Sequence, residues 1–358
     1  MVMETNSHKR ICLLTLSDNP DHQEVIYSLW KELDKLGFDA YTVGISNPSS
    51  LAAEFTQKNC YVDCPKRPGL SKGSFNIIKL SKMIREIRRI KPDVIYIETV
   101  HLWNIAISMS MRKSAKIYQV VHDVDPHDGS TAVRLANSLC SKVADVAVLR
   151  NKKDVPLASE KLGVDGSRIV HLDSWRAFPA YNPMEYTREF LFFGRLRRYK
   201  GLQAMFLIAR GASEIRFRIM GKSDAESLDL VNKLADLPNV SVSEGFIPEE
   251  DMAEAFKRAD WIVVPYESAS QSGVIMDAYR YSRPVISFDV GAISEQVVDG
   301  KTGYLIAAGD VKGFISAARS AAKMSEEELE TFSQRAYQYG QEKYGSVGAA
   351  RRFLEMIG

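Results

Sequence analysis

Short apolar runs alternate with amphipathic helical stretches along the whole chain, and the alternation stops and restarts once. In the first half the apolar runs predict strands at Ile11–Leu16, Ala40–Gly44, Val94–Ile97, Ile117–Val121, Val146–Leu149 and Ile169–Leu172. Helical patterns such as Gln23–Leu36 and Ile77–Ile90 lie between them. The irregular piece Asp173–Arg188 holds Pro179 and Pro183 and has no apolar period, which marks a linker. The second half repeats the pattern with strands at Phe190–Phe193, Arg216–Met220, Val240–Val242, Trp261–Val264, Val285–Phe288 and Tyr304–Ile306. Apolar runs that do not alternate belong to strands buried on both faces, and β-α succession gives parallel sheets covered by helices. The expected fold is α/β: two Rossmann-like, doubly wound parallel-sheet domains, residues 1–176 and 177–344, facing a cleft onto which strand ends open.

A length of 358 residues suits two domains, and 45% hydrophobic residues can fill two cores. The net charge of +2 argues against a dedicated nucleic-acid binder. The charge is slightly divided. Residues 1–180 hold 25 Lys/Arg against 20 Asp/Glu, and residues 181–358 hold 22 against 25. That permits an anionic partner on the first half without demanding one. Met1–Arg10 is polar and Ile11–Leu16 is too short for a signal-peptide core, so a cytoplasmic location is expected. Cys12, Cys60, Cys64 and Cys140 form no zinc spacing, which favours free thiols over a Cys60–Cys64 metal or disulfide.

Five segments of the second half carry chemistry. Phe190–Leu202 reads FLFFGRLRRYKGL, an apolar run that ends at Gly194 and delivers Arg195, Arg197, Arg198 and Lys200 to the end of a strand. Arg offers a planar fork for phosphate oxygens, and Lys200 falls at the start of the next helix, where backbone N–H groups favour anions. A solvated basic loop fits the same residues. Gly221-Lys222 ends the next strand as a glycine turn. Gly245-Phe246-Ile247-Pro248 follows, where an aromatic and backbone groups can hold a nucleobase or simply turn the chain. In Ser268–Pro284, Ser270, Gln271, Ser272 and Gly273 sit where a helix begins, and Asp277 lies four residues further on, on the same face. Plain capping and a surface acid are the competing readings. Gly291–Gly303 has Glu295 at its centre.

In this order and at these spacings, the five segments resemble the donor-binding half of family 4 glycosyltransferases of the GT-B fold. The matching marks are G-R-(x)4-K-G at Gly194–Gly201, the glycine after the second strand, the strand-Pro-Tyr turn reaching Gln271-Ser272-Gly273, Arg283-Pro284-Val285-Ile286, and E-x-V-x-D-G-x-x-G from Glu295 to Gly303. The resemblance covers residues 185–310 firmly and the N-terminal half loosely. It implies a sugar nucleotide on the second domain, with Arg195 and Lys200 on the diphosphate and N–H donors from Ser272 and Gly273. It also implies a last helix, about 345–358, that packs back on the first domain. Cations that neutralise a departing nucleoside diphosphate remove the need for a metal, so neither metal nor cofactor is expected. One feature departs from the family. The usual E-x7-E pair falls on Ala269 and Asp277, with Glu267 two residues earlier, and the chain resembles a subset with a Q-S-G turn instead.

On the first half, Ile117–His127 reads IYQVVHDVDPH. His122, Asp123 and His127 resemble the H-D-(x)2-P-H stretch of related enzymes, where one side chain orients an acceptor hydroxyl or takes its proton. A His at a strand end that bonds loop backbone is the rival reading. Asp123-Val124-Asp125 also spells the D-x-D metal motif of the other glycosyltransferase fold, here in the wrong domain. His171 reads as structural, His8, His22 and His101 show no partner, and Ser17–His22, where family members have Gly-Gly, suits equally an acceptor-sugar contact or a plain loop. Lys79–Lys91 is a basic amphipathic stretch that suits either an anionic lipid surface or an ordinary surface helix with Leu80, Ile84 and Ile87 inward.

The expected activity is retaining transfer of a hexose from a nucleotide-diphosphate sugar, UDP-linked in preference to GDP-linked, to a hydroxyl of a glycan or lipid-linked saccharide. A sugar-nucleotide epimerase and a non-catalytic sugar-nucleotide-binding subunit are the alternatives. No lysine motif for a pyridoxal phosphorylase stands out.

Overall fold

The computed structural model describes residues 9–17, 19–45, 59–62, 75–125, 131–181, 183 and 185–358. The chain divides into two compact units, one of Met1–Ala177 with Gly345–Gly358, the other of Phe178–Tyr344.

The first unit holds strands β1 (Arg10–Leu14), β2 (Asp39–Ile45), β3 (Asn59–Val62), β4 (Val94–Ile97), β5 (Lys116–Val121), β6 (Val146–Leu149) and β7 (Ile169–His171). They form one parallel sheet in the order β3-β2-β1-β4-β5-β6-β7. Its helices are α1 (Pro20–Lys35), α2 (Ile77–Ile90), α3 (Leu102–Met111), α4 (Thr131–Val143) and α5 (Val155–Leu162). The second unit holds β8 (Glu189–Phe193), β9 (Arg216–Gly221), β10 (Val240–Glu244), β11 (Trp261–Val264), β12 (Val285–Asp289) and β13 (Gly303–Ala307), in the order β10-β9-β8-β11-β12-β13. Around them lie α6 (Leu202–Gly211), α7 (Leu228–Ala235), α8 (Glu249–Arg258), α9 (Gly273–Arg280), α10 (Val311–Ala322) and α11 (Glu326–Tyr344). The last helix, α12 (Ser346–Ile357), belongs to the first unit.

The two faces of β1 show why its apolar run does not alternate. Ile11 and Leu13 pack with Val25, Ile26, Leu29 and Leu33 of α1 and with Ala349, Ala350, Phe353 and Ile357 of α12. Cys12 and Leu14 face the other way, onto Met83 and Ile87 of α2 and Trp103, Ile107 and Met111 of α3. On α2, Ile87 is buried while Leu80 and Ile84 are only partly covered. The strand order reverses between β1 and β4 in the first sheet and between β8 and β11 in the second. In open parallel sheets ligands bind at such switch points, beyond the carboxyl ends of the strands.

Two local expectations are corrected. Ser17–His22 is not a loop throughout, because Asn19 caps α1 by accepting from the Asp21 N–H, and Pro20 starts the helix. Strand β3 has no counterpart among the strands expected from the sequence. It is a four-residue strand at the edge of the sheet, paired with β2.

Candidate functional site

In the second unit, glycines bring the predicted segments together at the carboxyl edge of the sheet. Gly194 (φ +116) follows β8 and Gly221 (φ +146) ends β9. A Cβ on Gly221 would lie 1.7 Å from the Gly194 carbonyl oxygen, so only glycine permits this approach. The Gly194 N–H donates to Met220 O (3.0 Å) and the Leu196 N–H to Lys222 O (2.9 Å). Gly201 presses on Pro265 in the same way, again at 1.7 Å for a Cβ, and the Glu267 N–H donates to Tyr199 O (2.9 Å). The Ala292 N–H donates to Ala269 O (3.1 Å), tying the loop after β12 to the loop after β11. Four of the five segments are therefore joined by backbone contacts. The fifth, at Gly245, joins through its N–H to Gly221 O (3.0 Å).

The basic cluster divides. Arg197 pairs with Asp224 (3.4 Å) and Arg198 reaches Glu226 O (3.4 Å). Arg195 is exposed and has no side-chain partner among the described residues. Lys200 lies in a one-turn 3-10 segment (Arg198–Lys200), not at the start of α6, with Nζ 3.9 Å from the ring centre of buried Tyr266. That cation–π contact holds the ammonium near the turn leading to α9. Lys222 is exposed at the end of β9. Phe246 is 86% exposed, whereas Ile247 packs against the core.

The helix start at α9 differs from expectation. Ser272 holds the capping position without a side-chain cap bond. Its N–H is taken by Gln296 Oε1 (2.6 Å), and Gln296 Nε2 returns a bond to Ser272 O (3.1 Å). The Ser272 N–H is thus not a donor for phosphate, while its hydroxyl is buried with no partner among the described residues. Sequence reasoning missed Gln296 because it stands next to the conspicuous Glu295 at a position the family pattern leaves open. Ser270, Gln271 and Gly273 remain partly exposed around this turn, and Asp277 is buried on α9 instead of lying on the surface. Glu295 sits in a 3-10 turn whose carbonyl accepts from Tyr339 Oη (3.2 Å) and Lys343 Nζ.

In the first unit, charged groups are buried at the carboxyl edge of the sheet. Glu98 directly follows β4 and is fully buried. Arg150 follows β6, donates to Glu98 Oε2 and to Tyr96 Oη (2.9 Å), and bonds Leu172 O (3.2 Å) and Asp173 O (3.3 Å). Its guanidinium lies over Trp175, 4.9 Å from the ring centre. Burial alone pushes the Glu98 carboxyl up, but Arg150, helped by His122 and His22, holds it well below the usual carboxylate range. His122 follows β5, with Nε2 2.9 Å from the Glu98 carbonyl oxygen and 3.2 Å from Oε1. His22, on the first turn of α1, places Nδ1 3.9 Å from the same Oε1, and its ring lies 4.6 Å from that of His122. Burial lowers the His22 pKa, against the pull of Glu98.

His22 therefore has partners that the sequence did not reveal. So does His101, whose Nδ1 accepts from the Trp103 N–H (3.0 Å) and caps α3. The Asp123 carbonyl accepts from Asn137 Nδ2 (2.8 Å). Asp125 is exposed and engaged by Lys161 (2.7 Å) and Arg134 (3.7 Å), which ill suits a D-x-D metal site. His127 and Cys64 lie outside the described residues.

Two Rossmann-like units, the second with glycine-bound strand ends, define a GT-B-type glycosyltransferase fold. Residues 187–323, within the second unit, match the family described as glycosyl transferases group 1. The chain is 25% identical over 260 residues to the D-inositol 3-phosphate glycosyltransferase of Pseudarthrobacter chlorophenolicus, covering 62% of this chain and 61% of that protein. With the enzyme of the same name from Paenarthrobacter aurescens it shares 30% identity over 125 residues, 32% of this chain and 31% of the relative. The matches thus span about three-fifths and one-third of these relatives. The Anabaena Alr3699/HepE protein, solved in complex with UDP and glucose, superposes with a TM-score of 0.76 at 13% identity, over 98% of this chain and 99% of that one.

Proposed function

We propose that this chain is a glycosyltransferase that moves a hexose from a UDP-sugar to a hydroxyl of a glycan or lipid-linked saccharide, with retention at the anomeric carbon, in polysaccharide or glycoconjugate assembly. The observation that carries the reading is the backbone meeting of Gly194–Gly201 with Gly221 and Pro265. It sets exposed Arg195 and Tyr266-held Lys200 beside the turn into α9. In this reading the two cations hold the diphosphate and stabilise the leaving UDP, a role that needs no metal on the donor side. The Gly273 N–H at the helix start adds a donor, and Lys222 adds a further cation. Ser270, Gln271, Asp277 and Glu295 border the sugar and ribose. Phe246, standing free at the end of β10, covers the base, with Ile247 beneath it. The complex of Alr3699/HepE with UDP supports uridine as the base.

The acceptor is assigned to the edge of the first sheet, where His122 and Asp123 follow β5. Among the described residues no helix is long and apolar enough to cross a membrane. Contact with the cytoplasmic face of a membrane is assigned to α2. Phe75 just before the helix and Ile77 and Ile78 in its first turn are 73%, 74% and 83% exposed, and Lys79, Lys82, Arg85, Arg88 and Arg89 follow along it.

A thermal-shift panel of UDP, GDP and their sugars tests the donor side, because stabilisation grows with ligand concentration over Kd. UDP at about 100 times its Kd should stabilise by about 2.7 kcal/mol. A panel with no shift would sink the reading. Co-sedimentation with anionic vesicles, lost in Ile77→Glu/Ile78→Glu, tests the membrane contact.

A further inference from the structure

The first unit contains a cluster that the donor chemistry does not use. Oxygen Oε1 of Glu98 is buried and has no hydrogen-bond partner of good geometry among the described residues, although Oε2 is held by Arg150. It points between His22 Nδ1 at 3.9 Å and His122 Nε2 at 3.2 Å. All three ligating atoms lie within 4.8 Å of one another. We propose that His22, Glu98 and His122 form a binding site for one transition-metal dication of the zinc class.

Zinc-to-ligand bonds of about 2.0–2.2 Å place the ligand atoms of a tetrahedral site roughly 3.3–3.5 Å apart. The His122–Glu98 separation is already at that spacing, whereas His22 Nδ1, 3.9 Å from Oε1 and within 4.8 Å of the other ligand atoms, must draw in by about 0.5 Å or more. The three ligands come from the end of β4, the end of β5 and the first turn of α1, at the switch point of the sheet. Each is therefore placed by a packed element instead of a long loop. Arg150, itself bonded to Tyr96 Oη, holds the other carboxylate oxygen, Oε2, and so orients Oε1 as an outer hydrogen bond orients a ligating carboxylate in metalloproteins.

A proton on His122 Nε2 is the alternative to a cation. Nε2 lies 2.9 Å from the Glu98 carbonyl oxygen and 3.2 Å from Oε1, so a single proton there is shared between two acceptors. A cation bound to Nε2, Nδ1 and Oε1 engages all three, in place of any Nε2 hydrogen bond to the Glu98 carbonyl oxygen. Two imidazoles and one carboxylate suit zinc, cobalt or nickel and not magnesium, which prefers an all-oxygen shell. Arg150 already neutralises Glu98, so the cation adds positive charge that must be balanced. The side chains of both histidines are about a quarter exposed, which leaves room for water or an anionic oxygen to complete the shell. Such a cation would meet an acceptor hydroxyl in place of a free imidazole. The site lies within the first unit and stands independently of the donor reading.

The test uses the full chain, stripped by chelator and titrated with Co²⁺ while its visible absorption is followed. One equivalent should give a four-coordinate spectrum that Zn²⁺ abolishes and excess Mg²⁺ leaves intact. His22→Gln and His122→Gln keep the side-chain volume. Each should weaken Co²⁺ binding by more than the roughly 10–100-fold that loss of an outer partner costs. Both should melt as cooperatively as the parent and keep their UDP-induced thermal shift, so a failed metal site and a failed donor site are distinguishable. The proposal is overturned if Co²⁺ gives no such spectrum, or if the spectrum survives in either variant.

Discussion

The two sheets finish their carboxyl edges by opposite means. In the second unit the charges stay near solvent and glycine backbones make the close contacts, as at Gly194–Gly221 and Gly201–Pro265. In the first unit the charges are buried, with Glu98 and Arg150 both fully enclosed and the histidines packed against them. The difference fits the anion site proposed for the second edge. An anion needs cations and free N–H groups that give up little hydration before it arrives. A buried carboxylate must be compensated at once by a partner in contact. Glycine therefore makes the close contacts of the second edge and leaves Lys200 near solvent, whereas in the first unit the charged residues are themselves part of the packing.

The largest test of that contrast is Gly221→Ala. Its Cβ would fall on the Gly194 carbonyl at a φ of +146, with no flexible side chain to yield. A loss of about 5 kcal/mol, at the exceptional end for one substitution, is expected in denaturant unfolding. A loss below about 1 kcal/mol would show that the two loops are not pressed together. Next is Glu98→Ala, which strands Arg150 without its counter-charge. A loss of about 4 kcal/mol is expected, since breaking a buried pair costs more than the pair contributes. Survival of the variant at parental stability would mean that water reaches the site. Lys200→Ala should separate stability from transfer. Stability should change by less than about 1 kcal/mol, because only a cation–π contact is lost, while transfer should slow by roughly 10²–10³-fold. Equal transfer rates in variant and parent would remove Lys200 from the leaving-group site.

The same contrast explains what can be read from sequence. Strands such as Val94–Ile97, Val146–Leu149 and Trp261–Val264 match their expected bounds to the residue, because burial on both faces leaves an uninterrupted apolar run. The second edge is legible as well. Its glycines and Lys200 lie at fixed spacings along a few loops, and backbone crowding admits no substitute for glycine. The first edge is largely hidden. Glu98, Arg150 and His22 come from the end of one strand, the end of another and a helix start, with no spacing between them that local chemistry requires. His22 in particular reads as loop in the sequence, whereas Asn19 and Pro20 start α1 just before it. Gln296 escapes notice for a related reason, since its bonds run across 24 residues to the backbone of Ser272.

A smaller test concerns whether the first unit excludes water as thoroughly beside its charges as at them. Cys140 on α4 directs Sγ at the His101 carbonyl (3.7 Å), and burial pushes its thiol from 9.0 up to about 12. The folded pKa lies above the unfolded one, so the thiol's contribution is complete below about pH 9. As pH rises towards 12 the unfolded chain ionises first, and the contribution is lost. Cys140→Ala should therefore be less stable than the parent by about 1 kcal/mol at neutral pH, from the small space left behind. The gap should shift by about 1.4 kcal/mol in the variant's favour near pH 10, because the unfolded thiol is then one unit past its pKa while the folded thiol stays protonated, and each such unit is worth about 1.4 kcal/mol. Paired melting curves at the two pH values cancel the lysines and tyrosines common to both proteins. A gap that stays constant would mean that the thiol ionises as freely in the folded chain as in the unfolded one, so that the interior beside His101 is open to water.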